Sequence, residues 1–133
     1  MYRISQEGNI EWSLGQLQAE FDLELSIILV SVSGAQVDGF VCGWHVSGEL
    51  QVMLLAVSRN RQRQGIGTAL LEKLLCIGKG LGNTSAYLEL REGNETAMRL
   101  YGRAGFSEVG RRRRYYENGD TAILMCKDLT IQF

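Results

Sequence analysis

The stretch Leu54-Leu55-Ala56-Val57-Ser58-Arg59-Asn60-Arg61-Gln62-Arg63-Gln64-Gly65-Ile66-Gly67-Thr68-Ala69-Leu70 is where the chain changes its period. Before it, Leu50 to Val57 is an apolar run of strand length. After it, Ile66, Leu70, Leu74 and Ile77 recur at helical spacing, with Ala69 and Leu81 beside them. Between the two lies the basic, polar segment Arg59 to Gln64. Glycines at alternate positions, Gly65 and Gly67, let the backbone turn tightly and come close to a ligand. A helix starting there points unpaired N–H groups and its positive dipole end outward, which suits a pyrophosphate. Arg59, Arg61 and Arg63 add charge around the same mouth. No Gly-Lys-Ser/Thr follows, so this is not a P-loop, and no G-x-G-x-x-G marks a dinucleotide fold. A plain turn opening a helix has the same local signature.

Outward from this switch, the N-terminal side reads as a short helix and three strands. Trp12 to Phe21 is amphipathic, with Ser13 as its cap and Leu14, Leu17 and Phe21 on one face. Leu25 to Val32 is apolar enough to predict a strand covered on both faces. Val37 to Val46 and Leu50 to Val57 follow after short turns, which implies an antiparallel meander. On the C-terminal side Gly78, Gly80 and Gly82 weaken the end of the long helix. Ser85 to Leu90 is a strand, and Glu95 to Ala104 a helix that Asn94 caps and Gly105 ends. Glu108 to Glu117 and Thr121 to Lys127 are expected to close the chain as a hairpin, Asn118-Gly119 giving a type I′ turn. The expected class is α+β (α/β), a mostly antiparallel twisted sheet flanked by helices.

Composition narrows the function. The 133 residues suit one domain, and 14 Lys+Arg against 15 Asp+Glu leave a net charge of -1, which argues against nucleic acid as the main partner. The densest charge, Arg111 to Arg114, reads as a solvated or phosphate-facing strand rather than an RNA site. Cys42, Cys76 and Cys126 are far apart in apolar runs, and His45 is the one histidine, so no metal site is expected and the cysteines read as core residues. No stretch reaches the roughly 18 apolar residues of a membrane span. The expected setting is reducing and cytoplasmic. Two side chains stand out for acid–base work. Glu89 lies between Leu88 and Leu90 on a strand, so its carboxylate faces the other surface. In a part-apolar cleft it would be fit to take a proton; on an open surface it would be one more exposed glutamate. Tyr101 carries a phenol whose ordinary pKa is about 10, a proton store at neutral pH; it also fits simple packing on a helix face.

From Leu54 to Phe106 the chain resembles the core of the GNAT superfamily of N-acetyltransferases. Gln62-x-x-Gly65-x-Gly67 is similar to that superfamily's acetyl-CoA pyrophosphate loop. The run Leu88-Glu89-Leu90-Arg91-x-x-Asn94-x-x-Ala97-x-x-Leu100-Tyr101-x-x-x-Gly105-Phe106 resembles the RimI type, the ribosomal-protein-alanine N-acetyltransferases. Arg112-Arg113-Arg114-Tyr115-Tyr116 continues the similarity.

The resemblance implies the GNAT fold and acetyl-CoA as co-substrate, without a metal. The acetyl group would pass by direct attack in a ternary complex to a primary amine, foremost the N-terminal α-amine of a protein. It implies Glu89 as general base and Tyr101 as general acid beside the coenzyme sulfur. Gln62, Arg63, Gln64, Gly65, Ile66, Gly67 and Thr68 would hold the pyrophosphate, and Asn94 the pantetheine arm. Backbone N–H groups of Leu55, Ala56 and Val57, on a bulged strand, would meet the pantetheine and the acetyl carbonyl. Trp12-Ser13 resembles a pair near the acceptor cleft, although a lone Trp is usually a core anchor. Against the family pattern the chain reads as a single domain shortened at its N-terminus, lacking the usual first strand and helix. An exposed edge there suggests a homodimer. Two alternatives stay open: an enzyme acetylating a small-molecule amine, and an inactive acyl-CoA-binding module.

Overall fold

The computed structural model describes residues 25–130. Six strands, β1 (Ser26–Ser33), β2 (Gln36–Val46), β3 (Glu49–Val57), β4 (Ser85–Arg91), β5 (Ser107–Arg112) and β6 (Ala122–Asp128), form one sheet in the order β1-β2-β3-β4-β6-β5. Helix α1 (Ile66–Gly80) connects β3 to β4, and α2 (Glu95–Arg103) connects β4 to β5. Every ladder is antiparallel except that of β3 with β4, the parallel pair that a helical crossover requires. The expected class and the mostly antiparallel sheet are both present. The helix expected at Trp12 to Phe21, and with it the Trp12-Ser13 pair, lies outside the described residues. No described helix is long and apolar enough to cross a membrane.

Both helices pack on one face of the sheet. Leu70, Leu71, Leu74 and Leu75 of α1 share a core with Val41, Leu50, Val52, Leu88, Leu90 and Ile123, and Ala97, Met98 and Tyr101 of α2 pack against it. The inward face of α1 is thus rotated from the expected one: Ala69 is exposed, Ile77 half-buried and Leu81 exposed. Gly78 is no weakness in the helix. It is buried, and a Cβ there would lie 2.8 Å from Leu50 Cδ2, so glycine sets how closely α1 meets the sheet. Below it, Asn83 closes the helix end by donating to the Gly78 carbonyl at 2.8 Å, while its Oδ1 sits 2.9 Å from His45 Nδ1. The lone histidine ties β2 to that cap.

A second cluster, Phe40, Cys42, Leu54 and Ala56, occupies the opposite face. Its existence depends on a bulge. Cys42 pairs with Leu54 but Gly43 pairs with Val52, so Met53 is an extra residue in β3. Leu50 and Val52 face the helices before the bulge; after it Leu55 does, and Leu54 and Ala56 face away. One inserted residue has reversed the strand's phase.

Four further expectations are corrected. Among the described residues β1 is an edge strand, half-buried at best, with Val30 and Val32 exposed instead of covered on both faces. Cys42 is buried and Cys126 half-buried, but Cys76 is exposed on α1 rather than in the core. β5 ends at Arg112, so Tyr115 and Tyr116 lie in a loop and not on a strand. The turn is not type I′: Gly119 has φ +90° and donates to the Tyr116 carbonyl at 2.8 Å, while Asn118 stays out of the left-handed region.

Candidate active site

The β3–β4 ladder consists of Glu49–Ser85, Leu50–Ala86 and Gln51–Tyr87 and then stops. Beyond it, Val52 to Val57 and Leu88 to Arg91 do not pair with each other, although β3 still pairs with β2 and β4 with β6. The sheet is therefore split in its middle, and backbone N–H groups of Leu55, Ala56 and Val57 that point away from β2 face the split. The bulge at Met53 sits where the two strands part company.

The loop leaving β3 is built to hold the start of α1 open. Gln62 donates from its amide to the Val57 carbonyl at 3.1 Å, so its side chain braces the loop rather than projecting from it. Arg63 (φ +65°) and Gly65 (φ +83°) both lie in the left-handed region. Gly65 is the N-cap residue, and no side chain caps the helix. The first helical bond is Ala69 N–H to the Gly65 carbonyl, which leaves the N–H groups of Ile66, Gly67 and Thr68 for an outside acceptor. A Cβ on Gly65 would meet nothing within 4 Å, so the space before those groups is open. An open cavity of about 520 Å³ borders this loop between β1 and α1, lined by Leu29, Ser31, Gln64, Gly65, Ile66 and Lys73 among others; it does not reach the split.

Arg61 does not add charge to that mouth as expected. It turns back onto the β1–β2 hairpin, 3.5 Å from the buried Asp38 carboxylate and donating to Ser33 Oγ at 3.2 Å. The Asp38 carbonyl also accepts from Ser58 N–H at 2.8 Å, so Asp38 anchors the loop's first turn twice. Asp38 was missed in the sequence. Its only signal was a carboxylate set among Val37, Gly39 and Phe40.

β4 distributes the acid–base candidates. Leu88 and Leu90 face the helices; Glu89 and Arg91 face the other way. Glu89 is exposed, not enclosed in a part-apolar cleft, and its Oε2 accepts from the Tyr116 hydroxyl at 3.1 Å. Tyr116 was noticed in the sequence only as part of an arginine–tyrosine run. Burial and the neighbouring Glu89 push its phenol up to about 12. Tyr101 is on the helix side, half-buried, its ring edge-on to Phe106 at 5.8 Å between centroids. Burial pushes this phenol also up to about 12. Glu89 on β4 and Tyr101 on α2 thus lie on opposite sides of the sheet. Asn94 performs its structural role, accepting from Ala97 N–H at 3.2 Å to cap α2. Of the four consecutive arginines, Arg111 is paired with Glu108 and Glu92, and Arg112 lies over the Tyr115 ring at 5.3 Å.

This geometry has close counterparts. Residues 2–106 match the acetyltransferase (GNAT) family. An N-alpha-acetyltransferase of Sulfurisphaera tokodaii is 38% identical over 112 residues, covering 71% of this chain and 67% of that protein. A ribosomal protein bS18-alanine N-acetyltransferase of Haemophilus influenzae is 35% identical over 120 residues, covering 87% of this chain and 79% of its own length. The crystal structure of the ribosomal-protein-S18-alanine N-acetyltransferase from Escherichia coli overlays with a TM-score of 0.89 at 29% identity, covering 99% of this chain and 87% of that one. With the match running over most of the chain and the structural overlap over nearly all of it, the chain belongs to the GNAT family of acetyltransferases.

Proposed function

We propose that this chain transfers an acetyl group from acetyl-CoA to the N-terminal α-amine of a protein, both substrates being bound together. The observation that carries this is the split between β3 and β4, with an uncapped helix start and Tyr101 on one side of the sheet and Glu89 on the other. Acetyl-CoA, when bound, supplies an acetyl group activated as a thioester. The N–H groups of Ile66, Gly67 and Thr68 suit its pyrophosphate, as does the positive end of α1. Backbone N–H groups of Leu55 to Val57 would stabilise charge growing on the acetyl oxygen.

Glu89 takes the proton that the amine loses as its nitrogen attacks, directly or through one water. Tyr101 donates to the sulfur as the carbon–sulfur bond breaks. Its phenol near 12 is the weaker acid against a thiol of about 8.5, if coenzyme A resembles cysteine. Even with the thiolate fully formed, complete proton transfer from this phenol would run uphill by about 5 kcal/mol, so Tyr101 acts late, by hydrogen bonding to charge as it forms. An α-amine of pKa near 7.8 is roughly one-tenth neutral at pH 7, while a lysine amine near 10.4 is neutral in well under a thousandth. A single exposed carboxylate is enough base for the first. The names of the relatives from Sulfurisphaera and Haemophilus, both acetyltransferases of N-terminal amines, support the same acceptor class.

The test is coenzyme A release with short peptides of free N-terminus, lysine-only peptides blocked at the N-terminus, and free small amines. Free-N-terminus peptides are expected to be preferred. Glu89→Gln is expected to lose about 100-fold or more in kcat, and Tyr101→Phe to lose activity without losing acetyl-CoA affinity. Full activity in both variants would remove the assigned roles, and preference for free amines would move the acceptor class.

A further inference from the structure

Around Glu89 the chain spends several interactions on one phenol. Tyr116 comes from the β5–β6 loop, 27 residues beyond Glu89, and donates its hydroxyl to Glu89 Oε2 at 3.1 Å. The Arg91 guanidinium lies over the Tyr116 ring, 3.9 Å from its centroid. Arg91 is itself held, donating to Asn118 Oδ1 at 3.2 Å and Asp120 Oδ2 at 3.3 Å. Asn118 and Asp120 bond each other twice, amide to carboxylate and backbone N–H to amide oxygen, both at 3.0 Å. The backbone N–H groups of Tyr115 and Tyr116 both donate to the Asp120 carbonyl. To make this loop the chain abandons the β5–β6 ladder after the Arg112–Ala122 pair and places Arg114 at φ +52°, which L-residues rarely adopt. An exposed glutamate needs none of this for folding.

We propose that Tyr116 is a positioning residue for Glu89, and that Arg91, set by Asn118 and Asp120, holds its ring. The hydroxyl fixes the carboxylate through Oε2 and leaves Oε1 to receive the proton from the acceptor amine. Arg91 shares the β4 face of Glu89, so one strand carries both the base and the clamp on its orienting partner. Tyr116 stays a donor throughout the working pH range, its phenol being pushed up to about 12. The other titratable groups beside the pair are Arg91, Asp120 and Tyr115. The proposal rests on Glu89 being the base.

The experiment is a double-mutant cycle on peptide acetylation with Glu89→Gln, Tyr116→Phe and the double variant, plus Arg91→Lys. Tyr116→Phe keeps the ring over Arg91 and removes only the donor. It is expected to lower kcat about tenfold, the scale of one hydrogen bond to a charged group, with KM for acetyl-CoA unchanged. In the Glu89→Gln background the same change should cost almost nothing further, since it acts through the missing carboxylate. Arg91→Lys, which keeps charge but loses the planar fork and stack, should reproduce part of the kcat loss. Losses that multiply in the double variant, or a Tyr116→Phe defect confined to peptide KM, would overturn positioning in favour of direct acceptor contact. Unchanged activity in Tyr116→Phe beside an inactive Glu89→Gln would overturn it outright. An active Glu89→Gln would instead remove the general-base reading beneath it.

Discussion

Tyr101 shows how one residue's surroundings set both its chemistry and its contribution to stability. The ring packs against the helix-side core and meets Phe106 edge-on, and burial raises its phenol to about 12. A phenol whose folded pKa lies above the ordinary value of about 10 favours folding while it stays protonated. That contribution is fully present below pH 10 and is lost as pH rises through 12, on the order of 2–3 kcal/mol. Denaturant titrations at pH 8 and pH 11.5 should therefore show wild type losing stability between them, and Tyr101→Phe losing distinctly less. An identical alkaline loss in both proteins would mean that the ring ionises as freely folded as unfolded. The same substitution separates packing from the proposed sulfur donation, since packing survives it and donation would not.

At the scale of elements, α1 and the loop before it offer two sharper tests. Gly78 and Gly80 are two residues apart near the same helix end, yet a Cβ would meet Leu50 at 2.8 Å from the first and nothing within 4 Å from the second. Gly80→Ala should stabilise by about 0.5–1 kcal/mol through helix propensity. Gly78→Ala should destabilise by about 1–2 kcal/mol, because overpacking against a fully buried leucine outweighs that gain. Urea midpoints of the two variants moving in the same direction would contradict this account. Asp38→Ala should raise KM for acetyl-CoA severalfold while kcat stays near wild type, since it loosens the anchor of the loop and touches nothing at the split. Initial-rate kinetics at saturating peptide checks it.

How much of this was legible follows from where each signal is stored. The α1 start was readable because Gly65 and Gly67 punctuate an abrupt change of period, and the α2 start because Asn94 has the side chain a cap needs. The bulge at Met53 was not, because Val52, Met53, Leu54 and Leu55 are all apolar and nothing local says which one is extra. The end of β5 is not legible because Asn118-Gly119 reads as a tight hairpin turn, while the interactions that shape the loop come from Arg91 and Asp120. The roles of Asp38 and Arg61 are hidden by the 22 residues between them, and each alone looks solvent-bound. For the site, Glu89, Tyr101 and the loop glycines were visible through family resemblance, whereas Tyr116 touches Glu89 only because of the loop's irregular path.

At the scale of the molecule, among the described residues three ladder pairs are all that join β1-β2-β3 to β4-β6-β5 through the sheet itself. The two halves are also joined by the core beneath the helices, to which both half-sheets contribute, and by Thr84 N–H donating to the Gly48 carbonyl at 2.8 Å. A ligand lodged in the split therefore touches both halves and adds a further link between them. Saturating acetyl-CoA at 100 times its Kd should stabilise the fold by about 2.7 kcal/mol by mass action alone, seen as a rise in Tm that grows with ligand concentration. Amide exchange carries the further consequence. Without ligand, the facing edges of β3 and β4 are expected to exchange at rates of their own, faster than the ladders behind them. With ligand bound, both edges are expected to slow together, so that two weakly linked cooperative units unfold as one, and the reaction's own substrate completes the protein's cooperativity.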